Sequence, residues 1–383
     1  MLAGLNLQHF NGNHFGYIDY ISKRVGYVNL VKPYDGNQYY DSDASKRDYS
    51  AFGKALYHIT QQWDVFGDVQ YRFVAYKTDG LNDKFISLSS APYYANQQLN
   101  IDKTYSFLNP KAGISFHKEG HKAYFSVALA NREPERNNFT DNGSEPAPKA
   151  ERLLDYEMGY SYAAKQWNVS LNLYYMDYHN QFVQTGKKSD IGENLTTNIP
   201  VSYRLGAEIS ADYTPLSWLT IAGNAALSQN KIEDFTEYAE DWGAASGFRT
   251  IHYDRSTLAF SPSAILNGFI TARWKGLTAT WHTNFVSRQF LDNTQNDDRS
   301  LPCFSQSNFS ANYAFNNIKC CGLKALSLGL NLNNVFNRHY AASGWVYSAY
   351  RHATDLDTDP RYYQIGFVPM AGFNMMGNIT LTF

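Results

Sequence analysis

Apolar and polar residues alternate along much of this chain, which is the two-residue period of a strand whose two faces meet different surroundings. From Trp63 the odd positions are Trp63, Val65, Gly67, Val69, Tyr71, Phe73 and Ala75, while the even ones include Asp64, Asp68, Gln70 and Arg72. Trp167, Val169, Leu171 and Leu173 alternate with Asn168, Ser170 and Asn172, and Leu326, Leu328, Leu330 and Leu332 with Ser327, Gly329, Asn331 and Asn333. The last residues repeat the pattern, Phe373, Met375, Gly377, Ile379, Leu381 and Phe383 against Asn374, Met376, Asn378, Thr380 and Thr382. The periodicity predicts about 14 strands, near 2–10, 49–60, 62–77, 104–117, 121–132, 151–164, 166–185, 196–213, 217–232, 257–275, 277–290, 303–316, 322–336 and 373–383.

Alternation also suits a water-soluble sandwich, so the connections have to discriminate. They alternate in length. Long ones are expected at 11–48, 78–103, 133–150, 186–195, 233–256, 291–302 and 337–372. Short ones fall around Gln61, Lys118-Glu119-Gly120, Ala164-Lys165, Thr214-Pro215-Leu216 and Lys275-Gly276, with a looser one at Lys319-Cys320-Cys321. An antiparallel up-and-down transmembrane β-barrel has this asymmetry, with short turns at one rim and long loops at the other. Trp63, Trp167 and Trp218 each follow a short turn and Trp274 precedes one, which suits indole rings at a membrane interface.

Composition agrees. Only 18% of the 383 residues are charged while 16% are aromatic, and the net charge of −2 excludes a basic nucleic-acid surface. No linker or low-complexity tract divides the chain, so a single domain over 1–383 is expected. Mean hydropathy is −0.46, and no long apolar run suggests a helical span. Cys303, Cys320 and Cys321 are read as idle thiols, too few for a disulfide framework. The chain opens directly in strand-like sequence, so any export signal is expected outside these residues.

Several stretches resemble the barrel portion of TonB-dependent outer-membrane receptors, particularly the branch found in Bacteroidetes. They are Asn131-Arg132-Glu133-Pro134-Glu135-Arg136-Asn137-Asn138-Phe139, Pro148-Lys149-Ala150-Glu151-Arg152-Leu153, and Tyr175-Met176-Asp177-Tyr178-His179-Asn180-Gln181-Phe182-Val183-Gln184-Thr185-Gly186. Leu291-Asp292-Asn293-Thr294, Asn331-Leu332-Asn333-Asn334-Val335-Phe336-Asn337 and the final strand ending in Phe383 extend it. Pro369-Met370-Ala371-Gly372-Phe373 departs from the Pro-Gly-Arg run common in the family. The resemblance implies the bacterial outer membrane, a 22-stranded barrel of which these strands are a part, a plug domain and a TonB contact absent from this chain, and uptake of a scarce nutrient such as an iron chelate, haem or cobalamin. It implies no catalysis, and no Gly-x-Ser-x-Gly, phosphate loop or His-Glu-x-x-His occurs. A self-contained passive channel and a soluble β-sandwich adhesin remain alternatives.

Candidate chemistry falls into three groups. Charge facing lipid costs ~2–4 kcal/mol near the midplane, so Asp64, Asp68, Arg72, Arg204, Glu208 and Asp212 are expected to face a lumen, where the family's plug would touch them. Loop aromatics Tyr39, Tyr40, Trp242, Trp345, Tyr347, Tyr350, Tyr362 and Tyr363 are candidates to stack on a ligand. They outnumber the basic residues near 337–363, Arg338, Arg351 and Arg361, which favours a stacking ligand over a strongly anionic one. Asp355-x-Asp357-x-Asp359 resembles the start of a calcium loop, but Pro360 stands where the turn glycine belongs, so no metal and no cofactor is expected. His14, His252, His339 and His352 are candidates for haem or metal contact.

Overall fold

The computed structural model describes every residue except 18–37, 88–93, 142–146, 189–193, 321 and 352–360. A single antiparallel ladder organises the chain. It begins with β1 (Leu2–Tyr17), β2 (Gln38–His58), β3 (Trp63–Ser87), β4 (Tyr94–Lys118) and β5 (His121–Arg132). A short helix α1 (Arg136–Thr140) precedes β6 (Glu151–Ala163), β7 (Trp167–Lys188), β8 (Asn194–Leu216) and β9 (Leu219–Asp241). Each of these strands pairs with the next. β9 then serves two strands, β10 (Phe248–Thr257) on its upper half and β11 (Ala264–Trp274) on its lower half. β12 (Leu277–Val286) follows, then a two-residue ribbon of β13 (Gln289–Phe290) with β14 (Ser300–Leu301), then β15 (Phe304–Cys320) and β16 (Leu323–Asn333). β17 (Ala341–Tyr350) and β18 (Tyr362–Pro369) form a hairpin whose first strand makes a short parallel pairing with the end of β9, Ala349 opposite Glu240 and Tyr350 opposite Asp241, and β19 (Asn374–Thr382) pairs with β16.

Setting aside the ribbon and hairpin and counting β10 with β11 as one interrupted strand leaves 14, as the alternation predicts. No pairing joins β1 to β19 among the described residues, so the sheet is open. Three expectations need correcting. β3 and β4 run 25 residues each, and much of 11–48 and 78–103 is strand rather than loop. Alternation lapses there because both faces are polar, so the sequence carries no period to read. The segment 337–372 holds the β17–β18 hairpin, and 257–275 is broken at 258–263, where Phe260 takes a φ of 51°.

Register sorts the side chains onto two faces. Asp68, Arg72, Lys111, Glu157, Asn172 and Glu208 share the polar one, and Trp63, Ile114, Phe125, Met158, Leu171 and Ile209 share the other. On the polar face, aromatic rings lie over glycines directly opposite them, Phe66 over Gly113, Tyr124 over Gly159 and Tyr174 over Gly206. Each glycine gives a large ring room to lie flat along the wall.

Buried apolar residues collect toward the long-connection end. Val183, Ile199, Ile232, Phe235 and Leu258 form one cluster, and Leu291, Leu301 and Val346 another. Asn180 and Asp234, with φ of 53° and 58°, let the first cluster form. Asn and Asp tolerate this left-handed conformation, and on β9 the inward positions change parity beside it without any shift of register. On β9 the buried positions pass from Asn230 and Ile232 to Phe235, Glu237, Ala239 and Asp241.

A Gly159→Val substitution is expected to cost about 1–3 kcal/mol, because its side chain meets the Tyr124 ring. Gly67→Val, built into open space, is expected to change stability by less than about 0.5 kcal/mol. Urea unfolding in lipid vesicles, followed by tryptophan fluorescence, measures both.

Candidate functional site

The polar face carries its charges in paired sets. Arg72 on β3 donates from Nε and Nη2 to Asp48 on β2 at 3.0 and 2.6 Å, and from Nη1 and Nη2 to Glu133 at 2.7 and 2.9 Å. Lys46 Nζ adds a third donor to Glu133 at 2.8 Å, tying the segment after β5 to the wall. Burial pushes the Glu133 carboxyl up, but the hydrogen bonds from Lys46 and Arg72 outweigh it and leave it below the usual carboxylate range.

The other residues expected on this face have neighbours as follows. Asp64 lies 2.5 Å from His58 Nδ1 and 3.6 Å from His117 Nδ1. Asp68 stands opposite both Lys54 and Lys111. Asp212 accepts from Asn168 at 2.9 Å. Arg204 donates to Asn230 and Ser261, and with Glu157, Tyr174 and Glu208 it lines a cavity of about 320 Å³ under Phe260–Pro262.

A second charged cluster lies where the hairpin meets β9 and β10. Arg299 donates to Asp292 at 2.7 Å, and Arg361 Nη1 donates to Glu237 Oε1 at 3.0 Å. All four side chains are at least nine-tenths buried. Tyr253 donates to the other Glu237 oxygen at 3.0 Å, and burial together with that carboxylate pushes its hydroxyl up to about 12. Burial likewise drives the Asp292 carboxyl upward, against the pull of Arg299. Nε and Nη2 of Arg361 and Nε of Arg299 are buried without any acceptor. Nε and Nη2 form one edge of the guanidinium, the edge that grips a carboxylate with two parallel hydrogen bonds.

The eight candidate aromatics divide. Tyr39 and Tyr40 stand at the start of β2, rings 4.9 Å apart, with Tyr40 over Gly16. Tyr350 is sandwiched between Arg249 at 3.9 Å and Arg361 at 4.9 Å, and Arg249 in turn grips Asp241 at 2.6 Å. Tyr347 donates to Glu240 at 2.5 Å, and burial and that carboxylate raise its hydroxyl to about 12. Trp345 covers Gly366, and Tyr363 packs on the Leu291, Leu301 and Val346 cluster. Trp242, 59% exposed, and Tyr362, 37% exposed, sit 6.2 Å apart and leave apolar surface open beside the arginines.

Sequence reasoning missed Arg249, Arg299, Glu237 and Asp48, whose contacts with Tyr350, Tyr363, Arg361 and Arg72 join separate segments. Asp292 and Glu133 stood inside stretches quoted for the resemblance. Asp355, Asp357, Asp359 and His352 lie outside the described residues. Among the described residues, no three His, Cys, Asp or Glu side chains converge as metal ligands. His252 faces Asp234 and Asp254, and Cys303 is exposed and unpaired.

Glu133→Gln is expected to lower stability by about 1–3 kcal/mol at pH 7, since it strips Arg72 and Lys46 of a charged acceptor. With the folded pKa below the unfolded one, the Glu133 contribution is complete above the unfolded value and lost as pH falls through the folded value. The gap between wild type and variant should therefore close toward pH 3, as urea unfolding at pH 7, 5 and 3 will measure.

A family model described as TonB dependent receptor-like, beta-barrel, matches residues 2–335. No curated protein matches the sequence. The ferric-catecholate import receptor Fiu from K12 E. coli superposes with a TM-score of 0.64 at 13% identity, over 99% of this chain and 51% of its own. The ferric yersiniabactin uptake receptor FyuA from Yersinia pestis gives 0.63 at 13%, over 100% and 51%. The copper transporter OprC gives 0.68 at 14%, over 100% and 54%. The chain spans about half the length of these solved structures, and its likeness to them is one of fold. With an open antiparallel meander and a family match over most of its length, the chain belongs to the TonB-dependent receptor β-barrel family.

Proposed function

We propose that this chain forms much of the wall of an outer-membrane uptake receptor, its apolar face in lipid and its polar face toward a lumen. Two aromatic rows on the apolar face support the placement. The lower pairs Trp63 with Phe116 at 4.9 Å and Trp167 with Tyr213 at 3.9 Å. The upper includes Tyr71 and joins Tyr156, Tyr175 and Tyr203 at 6.3 and 6.0 Å. Trp63 and Tyr71, like Trp167 and Tyr175, are eight residues apart, about 26 Å of strand at ~3.3 Å per residue, which matches a bilayer-spanning band.

On this reading further strands pair with the open edges of β1 and β19, because unpaired backbone groups in hydrocarbon are costly. The ladder gives no support to a self-closed channel. A plug domain and a TonB contact in the complete receptor follow from the family reading.

The ligand reading is carried by the buried edge of Arg361 that has no acceptor. Arg249, Arg299 and Arg361 converge from three segments, each on its own carboxylate, and Arg361 alone keeps a two-nitrogen edge without an acceptor among the described residues. We infer a small metal chelate that presents anionic oxygens, with Trp242 and Tyr362 against its apolar part. An iron chelate fits this best. Haem fits through its propionates, and a corrin less well.

In the complete receptor, Arg361→Lys keeps the charge but loses the two-point grip, and should weaken binding of an anionic ferric chelate about tenfold, or ~1.4 kcal/mol. Quenching of tryptophan fluorescence by a ferric tricatecholate, a ferric tricarboxylate, haem and cyanocobalamin tests this. Binding of cyanocobalamin alone, unchanged in the variant, would overturn the anionic reading.

A further inference from the structure

A groove of about 280 Å³ crosses the apolar face from β3 to β7, close to the short-turn end. Its origin is one small residue in a cross-strand row. Register sets Phe116, Ala123, Tyr160 and Leu171 side by side, so Ala123 leaves a notch between two rings. Phe116 and Tyr160 stand two strand spacings apart, ~9.6 Å between backbones, which seats a single hydrocarbon chain and excludes a helix. The next row, Ile114, Phe125, Met158 and Leu173, extends the apolar lining.

The rim of this groove is polar and basic. The His121 ring lies 4.5 Å from that of Tyr162, and its Nδ1 is 2.8 Å from the Tyr160 hydroxyl. The turns carrying Lys118 and Lys165 lie next to each other, since Ala163 N donates to Gly120 O at 2.9 Å. Both lysines are exposed, and Glu119 is the one acid in these two turns. Positive charge thus borders an apolar slot at the level of the lower aromatic row.

We propose that the groove binds a phospholipid with an anionic headgroup, its phosphate at Lys118, His121 and Lys165 and one acyl chain over Ala123. The charge at the rim selects the headgroup, each cation adding attraction to an anionic lipid surface. The notch holds the chain by burying methylenes against Phe116, Tyr160 and Met158. This site rests on the reading of the apolar face as lipid-facing.

The test takes the receptor purified from membranes in a mild detergent and titrates it with phosphatidylglycerol or phosphatidylcholine, counting retained lipid by native mass spectrometry. Wild type should retain one phosphatidylglycerol at least fivefold more readily than phosphatidylcholine. Ala123→Phe, which fills the notch, should abolish retention of both while the heat-modifiable folded band persists on a gel. Lys118→Glu with Lys165→Glu, confined to exposed turns, should remove the preference but keep the chain site, and reads the headgroup half whatever Ala123→Phe does to folding. Equal retention of the two lipids by wild type, or undiminished retention by folded Ala123→Phe, would overturn the site. A monodisperse monomer free of detergent would instead overturn the membrane reading on which it rests.

Discussion

Backbone groups paired sideways, strand to strand, are the constraint on which the rest of this molecule depends. A strand that crosses hydrocarbon has no water to satisfy its N–H and C=O groups, so each must find a partner in its neighbour. Once ladders of up to 22 paired positions are in place, as between β3 and β4, the period of two follows. On the membrane reading proposed above, one face meets lipid and the other a polar interior, and charge belongs on the second. The glycines beneath Phe66, Tyr124 and Tyr174 serve the same constraint, since they admit large rings on the polar wall without bending the ladder.

Above the aromatic rows the constraint relaxes and a different kind of order takes over. The buried core of this protein is there, and it is rich in polar ties. Asn293 accepts from Ala259 N and donates to Gln184 O, and Asn334 bonds Arg338 and Ala371. Glu133 ties a connecting segment to Arg72. The stretches that resemble the receptor family are therefore built largely of rivets that hold long connections against the wall. The groups best suited to touch a ligand, Arg361, Trp242 and Tyr362, stand outside them.

This division explains what the sequence allowed one to read. The lower half was legible because two faces of different polarity impose a strict period, and β7, β16 and β19 lie along the alternations of Trp167, Leu326 and Phe373. The upward extensions of β3 and β4 were not, because with polar surroundings on both sides nothing alternates. The β17–β18 hairpin was hidden for the same reason. The Arg249, Arg299 and Arg361 cluster was invisible because its members lie at least 50 residues apart in sequence and meet only in the folded chain, where the hairpin comes against the end of β9. The aromatic residues expected in loops lie largely on the strands β2, β17 and β18. Tyr347 and Tyr350 are engaged by Glu240 and by two arginines, which makes them braces of the cluster rather than open platforms.

The central claim, that one face of the sheet lies in lipid and the other lines a polar interior, is tested most directly by spin labels along β7. Single cysteines at 168 through 175, with Cys303, Cys320 and Cys321 replaced by serine, would be labelled in the complete receptor reconstituted in a bilayer. Collision with oxygen, which concentrates in lipid, would be compared with collision with a polar nickel chelate. The account predicts oxygen accessibility that peaks at Val169, Leu171, Leu173 and Tyr175 and falls at Asn168, Ser170, Asn172 and Tyr174. Equal accessibility at odd and even positions, or odd positions shielded from both reagents as in the core of a sandwich, would contradict it.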